Sequence, residues 1–369
     1  MSQRVAGGEE AQGNVVVLGG YGAVGKAACR VLGTRLPGRV LAAGRDRGKV
    51  EAISRETGGK VLSLRLDLDD PREVGRALDG ARVVVACAGQ DDVGLARECL
   101  RRGVHYVNVS ASYEFLAEIE RLDGPARSTG ATAVLSVGLA PGLTNLLAKR
   151  CVDVLGDVRS LDLYVLIGLG ESHGEAAVRW TVDNLDKRFA APGAAGPREV
   201  GSLEDPKATV FPGGYGRRTC YRFNFPDQHI VSRTLGVEEV ATRLCFDPAW
   251  STRLLALLKR VGALRMLRCR GVRDTLVALL TQVRAGSEGF AVTAEAEGAD
   301  GRSFSCSASG YGEARATGVI AALVAERLHA DPSTLESGGV YHAEQVFDPA
   351  EILRSLDEHG IDVDLCMVD

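Results

Sequence analysis

Val16-Val17-Leu18-Gly19-Gly20-Tyr21-Gly22-Ala23-Val24-Gly25 is the stretch on which the reading of the fold turns. The β-branched run Asn14–Leu18 feeds directly into Gly20-x-Gly22-x-x-Gly25, and helical composition follows from Ala23 to Leu36. A glycine triplet between a strand and a helix is the pattern of a dinucleotide-binding turn. Each glycine then has its own duty. Gly20 permits the tight turn, Gly22 lets the backbone approach a pyrophosphate, and Gly25 lets helix and strand pack closely. Tyr21, Ala23 and Val24 complete the loop, and the helix they open offers free N–H groups to the anion. The competing reading is a glycine turn with a structural role only.

The second strand, Arg39 to Ala43, ends where an NAD-binding fold places an acid on the ribose. Here the chain reads Ala43-Gly44-Arg45-Asp46-Arg47. Arg45 can fork onto a 2′-phosphate, with Arg47 or Lys49 adding charge, which favours NADP as the cofactor. Asp46 keeps NAD open. Two later loops are candidate cofactor contacts: Asp67 after the third strand, near adenine, and Ala88 and Gly89 after the fourth, where small residues let a cofactor pass or serve packing alone.

Further outward, the first 150 residues alternate between strand-like and helix-like runs. Lys60 to Asp67, Arg82 to Ala86, His105 to Val109 and Thr132 to Val137 bring the strands to six. Asp70-Pro71 starts one intervening helix with a good cap, and another runs from about Asp91 to Arg102. Continuous apolar strands separated by helices imply an α/β fold, a doubly wound parallel sheet covered on both faces. Beyond residue 150 the texture changes. Ser160 to Leu169 reads as a strand, Gly174 to Arg188 as a helix and Pro192 to Gly216 as loop with short strands. Tyr221 to Phe225 reads as a half-exposed strand, Thr252 to Leu280 as mainly helical, and Phe290 to Glu297 with Arg302 to Ser309 as an antiparallel pair. Ala314 to His329 is an apolar helix. This suits an inserted α+β substrate domain with an antiparallel sheet.

Of the 369 residues, 45% are hydrophobic and the net charge is -4. Such a chain buries a core without staples and has no general attraction to nucleic acid or an anionic membrane, although local arginine clusters can still bind a phosphate or carboxylate. The nine cysteines form no CxxC and read as reduced thiols rather than a metal site. No signal pattern opens the chain and no apolar run is uninterrupted enough to cross a bilayer, so a cytoplasmic protein is expected.

Taken together, residues 16–25, Ala43-Gly44-Arg45, His105-Tyr106-Val107-Asn108-Val109-Ser110 and Gly138 to Asn145 resemble the saccharopine dehydrogenase (saccharopine reductase-like) family. Phe304 to Gly310, Ala316-Thr317-Gly318 and Gly339 to His342 fit its later pattern. The resemblance implies a Rossmann domain of residues 1–147 and 311–369 with a substrate or dimerisation domain of 148–310 inserted. It also implies a homodimer and nicotinamide chemistry on a C–N bond of a small-molecule substrate. The family often carries an acid where this chain has Asn108, which removes a carboxylate near the cofactor.

Hydride transfer needs a group that supplies or removes a proton near the reacting carbon. Asn145, at the end of the Gly138 loop, is one candidate for the floor of the site; otherwise the loop simply joins strand to helix, with Pro141 at the first helical position. His173 lies between a strand and a helix and can reach a cleft, unless Ser172 and Glu175 only cap the helix. Arg222 can hold a substrate carboxylate, and Asp227 and His229 can form an acid–base pair, against the alternative of a strand ending in a polar turn. Three functions compete: an imine-reducing or amine-oxidising enzyme, a carbonyl reductase with no C–N step, and a nucleotide sensor without turnover.

Overall fold

The computed structural model describes residues 13–90, 92–171, 174–282, 284–330 and 338–368, with side chains described as far as 365. The first half carries β1 (Asn14–Leu18), α1 (Ala23–Arg35), β2 (Val40–Gly44), α2 (Arg47–Glu56), β3 (Val61–Arg65), α3 (Pro71–Leu78) and β4 (Ala81–Ala86). It continues through α4 (Gly94–Arg101), β5 (His105–Asn108), α5 (Tyr113–Glu120), α6 (Asp123–Thr129), β6 (Thr132–Leu135) and α7 (Thr144–Leu155). Then come β7 (Val158–Leu169), α8 (Glu175–Asn184), β8 (Arg188–Ala191), β9 (Arg198–Gly201), β10 (Lys207–Phe211), β11 (Gly216–Arg222), α9 (Pro226–Leu235) and β12 (Glu239–Asp247). The last part holds α10 (Ala249–Arg260), α11 (Arg270–Leu280), β13 (Ala285–Gly298), β14 (Ser303–Tyr311) and α12 (Glu313–Ala330). It ends with β15 (Gly339–His342), α13 (Ala343–Val346), α14 (Pro349–Asp357) and β16 (Ile361–Val368).

Local chemistry accounts for the helix starts. The Asp46 and Asp70 side chains accept from the Lys49 and Arg72 amides, and Ser112 caps α5 through the Phe115 amide. Pro71 and Pro226 occupy first-turn positions, where a missing N–H costs nothing.

The Rossmann sheet is parallel throughout, in the order β15-β6-β5-β4-β1-β2-β3. Six of its strands match the expected ones. The seventh, β15, comes from the far end of the chain and pairs with β6 from Gly339↔Thr132 to His342↔Leu135. The second sheet, β10-β11-β12-β7-β13-β14-β16, departs from the antiparallel expectation, because β12 runs parallel to β7. The final strand does not stay with the Rossmann domain either: β16 pairs with β14, so the tail crosses to the second sheet. α7 runs unbroken across residue 148. The helix expected to Arg188 stops at Asn184, and Arg188 begins the small β8–β9 hairpin.

Between the two sheets lies one continuous core. It joins Val15, Val17 and Val85 to Leu163, Val165 and Val292 through α7 and α12. α12 is apolar nearly all round because it is covered on both sides. It meets α1 at Gly318, where a Cβ would press on the Val24 carbonyl and the Ala27 side chain. Gly318→Ala is therefore expected to cost about 1–3 kcal/mol by overpacking. A fall in the urea midpoint at unchanged slope measures it, and an unchanged midpoint would mean that the helices yield.

Candidate nucleotide site and substrate cleft

The carboxyl ends of β1, β2, β4, β5 and β6 converge on one edge of the Rossmann sheet, where ligands of open α/β sheets bind. In the glycine loop the tight turn falls one residue earlier than expected. Gly19, with φ +72°, makes the turn, while Gly20 packs its Cα face on Ala42 of β2. A Cβ at Gly25 would strike the Gly19 carbonyl, so helix and strand do meet there. Gly22 is the open position. Its φ/ψ of -70°/166° suits any residue, and an added Cβ would meet only the Gly19 oxygen, at 3.2 Å. No side chain caps α1, so the amides at its start, from Ala23, Val24 and Gly25, are left for an anion. Gly22→Ala is thus expected to leave thermal stability unchanged while weakening cofactor binding at least about tenfold, as the added methyl occupies the phosphate approach. Parallel thermal melts and cofactor titrations check it; equal affinity in the two proteins would mean that the phosphate passes elsewhere.

The basic turn resolves the ambiguity of Asp46. That carboxylate caps α2 and lies 3.7 Å from the Lys49 ammonium, so it is engaged within the helix start. Lys49 in turn sits over the Tyr21 ring, 5.5 Å from its centroid, and the ring covers Gly44. Arg47 is held by Glu51. Arg45 is exposed at the end of β2 with no ion-pair partner among the described residues, which leaves its guanidinium for a 2′-phosphate. Asp67 is tied into its own turn, accepting from the Asp69 amide. Ala88 packs against Gly19, and a Cβ on Gly89 would meet open space. These residues fit an NADP-type cofactor.

Next to the β4 and β5 ends runs a hydrogen-bonded polar chain. Gln90 and the Asn108 Nδ2 both donate to the Tyr106 hydroxyl, and the Asn108 Oδ1 accepts from the Ser110 amide. Tyr106 is buried and its phenol is pushed far above the ordinary range by desolvation, so it packs and bonds rather than titrates. Asn108, the departure from the acid, is a structural member of this chain.

The second domain carries an aromatic cluster in which Phe223 and Phe225 are buried. The Trp180 ring packs on Phe223 and Phe225, with centroids 5.7 and 5.1 Å away. His229 lies 4.9 Å from the Tyr113 ring of α5 and 6.3 Å from Phe189, and its Nε2 bonds the Asn224 Oδ1 at 3.0 Å. Burial lowers the His229 pKa to about 4, with Arg222 adding to the effect, so the imidazole is neutral near pH 7. Tyr113, Phe189 and Asn224 were not among the candidates from sequence; their meeting with His229 reveals them, Tyr113 from 116 positions away.

The other candidates are displaced. His173 lies outside the described residues. Asn145 is fully buried: its Oδ1 accepts from the Gly142 amide and its Nδ2 donates to Glu344 at 3.0 Å. It fastens the Gly138 loop to α13 instead of facing a ligand. Pro141 is not the first helical residue; it is extended, and α7 begins at Thr144. Tyr221 to Phe225 is not a half-exposed strand, because β11 ends at Arg222, and Arg222, Phe223 and Phe225 are buried. Arg222 donates to Gln228 at 3.2 Å, and burial lowers its pKa to about 10. It has no exposed face for a carboxylate. Asp227 and His229 are both on α9 and do not pair: Asp227 accepts from the Gln228 amide and the Thr242 hydroxyl.

Known proteins bear on both halves. Residues 15–134 match the family profile described as the saccharopine dehydrogenase NADP binding domain. The fold resembles an apo, histidine-tagged saccharopine dehydrogenase (L-Glu forming) from Saccharomyces cerevisiae, with TM-score 0.69 at 15% identity over 96% of this chain and 100% of that one. A meso-dapdh mutant with DAP from Clostridium tetani E88 aligns at TM-score 0.47 and 13% identity, over 94% and 98% of the two chains.

Proposed function

Starting from an NADP-dependent oxidoreductase with a saccharopine dehydrogenase NADP binding domain, we propose that the chain reduces an imine, or in reverse oxidises a secondary amine, of a small amino-acid-like substrate. The carrying observation is the neutral His229 packed against Tyr113, the first residue of α5 after β5. NADPH, when bound, supplies the hydride. A ketone acceptor needs an acid to protonate its oxygen, and an imidazole with a pKa of about 4 is a poor one near pH 7. An iminium brings its own proton. With Nε2 facing Asn224, the His229 Nδ1 lone pair is free to accept a hydrogen bond from the iminium N–H, while Tyr113 and Phe189 flank the ring and limit water.

The test is NADPH oxidation by the full chain with carbonyl compounds alone and with carbonyl–amine pairs. Loss of NADPH only when the amine is present supports the C–N step. Turnover of a carbonyl compound alone selects the carbonyl reductase reading, and tight NADPH binding with no turnover across the panel selects the sensor.

A further inference from the structure

One face of α10 is left uncovered by the rest of the fold. Trp250, Leu254, Leu257 and Val261 recur at spacings of four, three and four, which stacks them in one stripe along the helix. They are 60%, 45%, 56% and 66% exposed, and Met266, in the 3-10 turn Ala263–Arg268 that follows, is 63% exposed. Seven of the twelve large exposed apolar side chains among the described residues lie between Trp250 and Leu279, so this is a patch and not ordinary scatter.

The same segment carries charge of one sign. Residues 249–280 hold Arg253, Lys259, Arg260, Arg265, Arg268, Arg270 and Arg273 against Asp274 alone, a net +6 on a chain whose total is -4. Asp186 matches Lys259 and Arg268, at 2.8 and 3.4 Å, Asp183 matches Arg273 at 3.4 Å, and Arg270 lies 3.8 Å from Asp274. Arg253, Arg260 and Arg265 have no hydrogen-bond or ion-pair partner among the described residues. Arg253 and Arg260, seven apart, border the apolar stripe on one side, and with Arg265 they line a cleft of about 820 Å³.

An apolar stripe containing a tryptophan and edged by unpaired guanidinium groups suits the boundary between headgroups and acyl chains. There the apolar side chains enter the bilayer and the arginines meet phosphates. A second copy is a worse occupant, because a two-fold contact through this face would oppose two +6 segments. Nucleic acid would satisfy the arginines but leave the stripe in water. The geometry points to peripheral docking of α10 on an anionic phospholipid surface, with the stripe inserted and Arg253, Arg260 and Arg265 on headgroup phosphates. No helix among the described residues is long and apolar enough to cross a membrane, so the contact is one of surface. The overall charge of -4 hides this because the positive charge is segregated on one segment. The inference uses only the outer face of α10 and the turn that follows it, and stands apart from the imine reading.

The test is sedimentation of the full chain with vesicles of phosphatidylcholine, alone and with phosphatidylserine added. Binding is expected only with the anionic lipid, weakening as salt rises, with a blue shift of tryptophan emission that Trp250→Phe removes. The triple variant Arg253→Glu/Arg260→Glu/Arg265→Glu is expected to bind more than about a hundredfold more weakly. All three sites are exposed, so its NADPH affinity should match the wild type, which shows that it folds. Absence of binding to anionic vesicles, equal binding to neutral ones, or unchanged binding by the triple variant would overturn the proposal. So would a dimer in solution that Leu254→Asp dissociates, which would assign the face to a second copy, or salt-sensitive binding to RNA alone.

Discussion

Arg45→Ala should abolish a preference for NADPH over NADH. Among the described residues, the only group at the end of β2 that offers an unengaged charge to a 2′-phosphate is Arg45, since Arg47 is paired with Glu51 and Lys49 leans on Asp46 and Tyr21. Hydrogen bonds to a charged group contribute about 1.5–3 kcal/mol, so NADPH binding should weaken about ten- to a hundredfold. NADH has no 2′-phosphate and should bind the variant as it binds the wild type. Titrations followed by nicotinamide fluorescence, on wild type and variant side by side, read both affinities. Raised salt should narrow the difference, because Arg45 is exposed and its field is screened. A wild type that binds both cofactors equally would remove the role assigned to the basic turn.

Asp227→Asn is expected to stabilise the protein near neutral pH, which is unusual for a change in the core. Asp227 is fully buried, with Oδ1 accepting from the Gln228 amide at 2.8 Å and the Thr242 hydroxyl at 2.5 Å, while Oδ2 has no partner. Desolvation raises its pKa from 3.8 to about 6, and Glu344 adds like-charge repulsion. Below about pH 4 the carboxyl is protonated in both folded and unfolded chains. Between about pH 4 and 6 the folded chain binds more protons, so its stability falls as pH rises. Above about 6 the whole cost of the buried charge is present, at most about 3 kcal/mol. Asparagine keeps the Oδ1 acceptor without the charge. Urea unfolding should show a higher midpoint for the variant near pH 7 and the loss of this decline between pH 4 and 6. A variant less stable than wild type near pH 7 would mean that the ionised carboxylate is a net benefit. Turnover should survive, in contrast to the acid–base role that the sequence suggested for Asp227.

The two changes separate what is local in this chain from what is not. Arg45 was legible because its position follows from a short-range rule: a glycine loop, a helix, one strand and the turn after it. The strand–helix alternation, the caps at Asp46, Asp70 and Ser112, and the close packing at Gly25 rest on neighbours a few residues apart, and the pattern of residues states them directly. Asp227 was misread because its surroundings come from elsewhere in the chain. Thr242 reaches it from β12, and Glu344, 117 positions away, charges its neighbourhood from α13. Arg222 and Asn145 mislead for the same reason. A polar side chain in an aromatic or glycine-rich stretch looks available until folding supplies Gln228 or Glu344 as its partner.

The residues in order were therefore enough for the Rossmann half and the placement of its glycine loop and basic turn in the chain, since backbone geometry and short-range hydrogen bonds dictate them. The tertiary structure alone decided the rest. It brought β15 in as a seventh strand and sent β16 to the other sheet, because pairing of strand edges is blind to distance along the chain. It also set Tyr113 against His229, moving the imidazole pKa by burial, and left the α10 stripe uncovered. Burial and long-range contact belong to the assembled fold, and no window of sequence contains them.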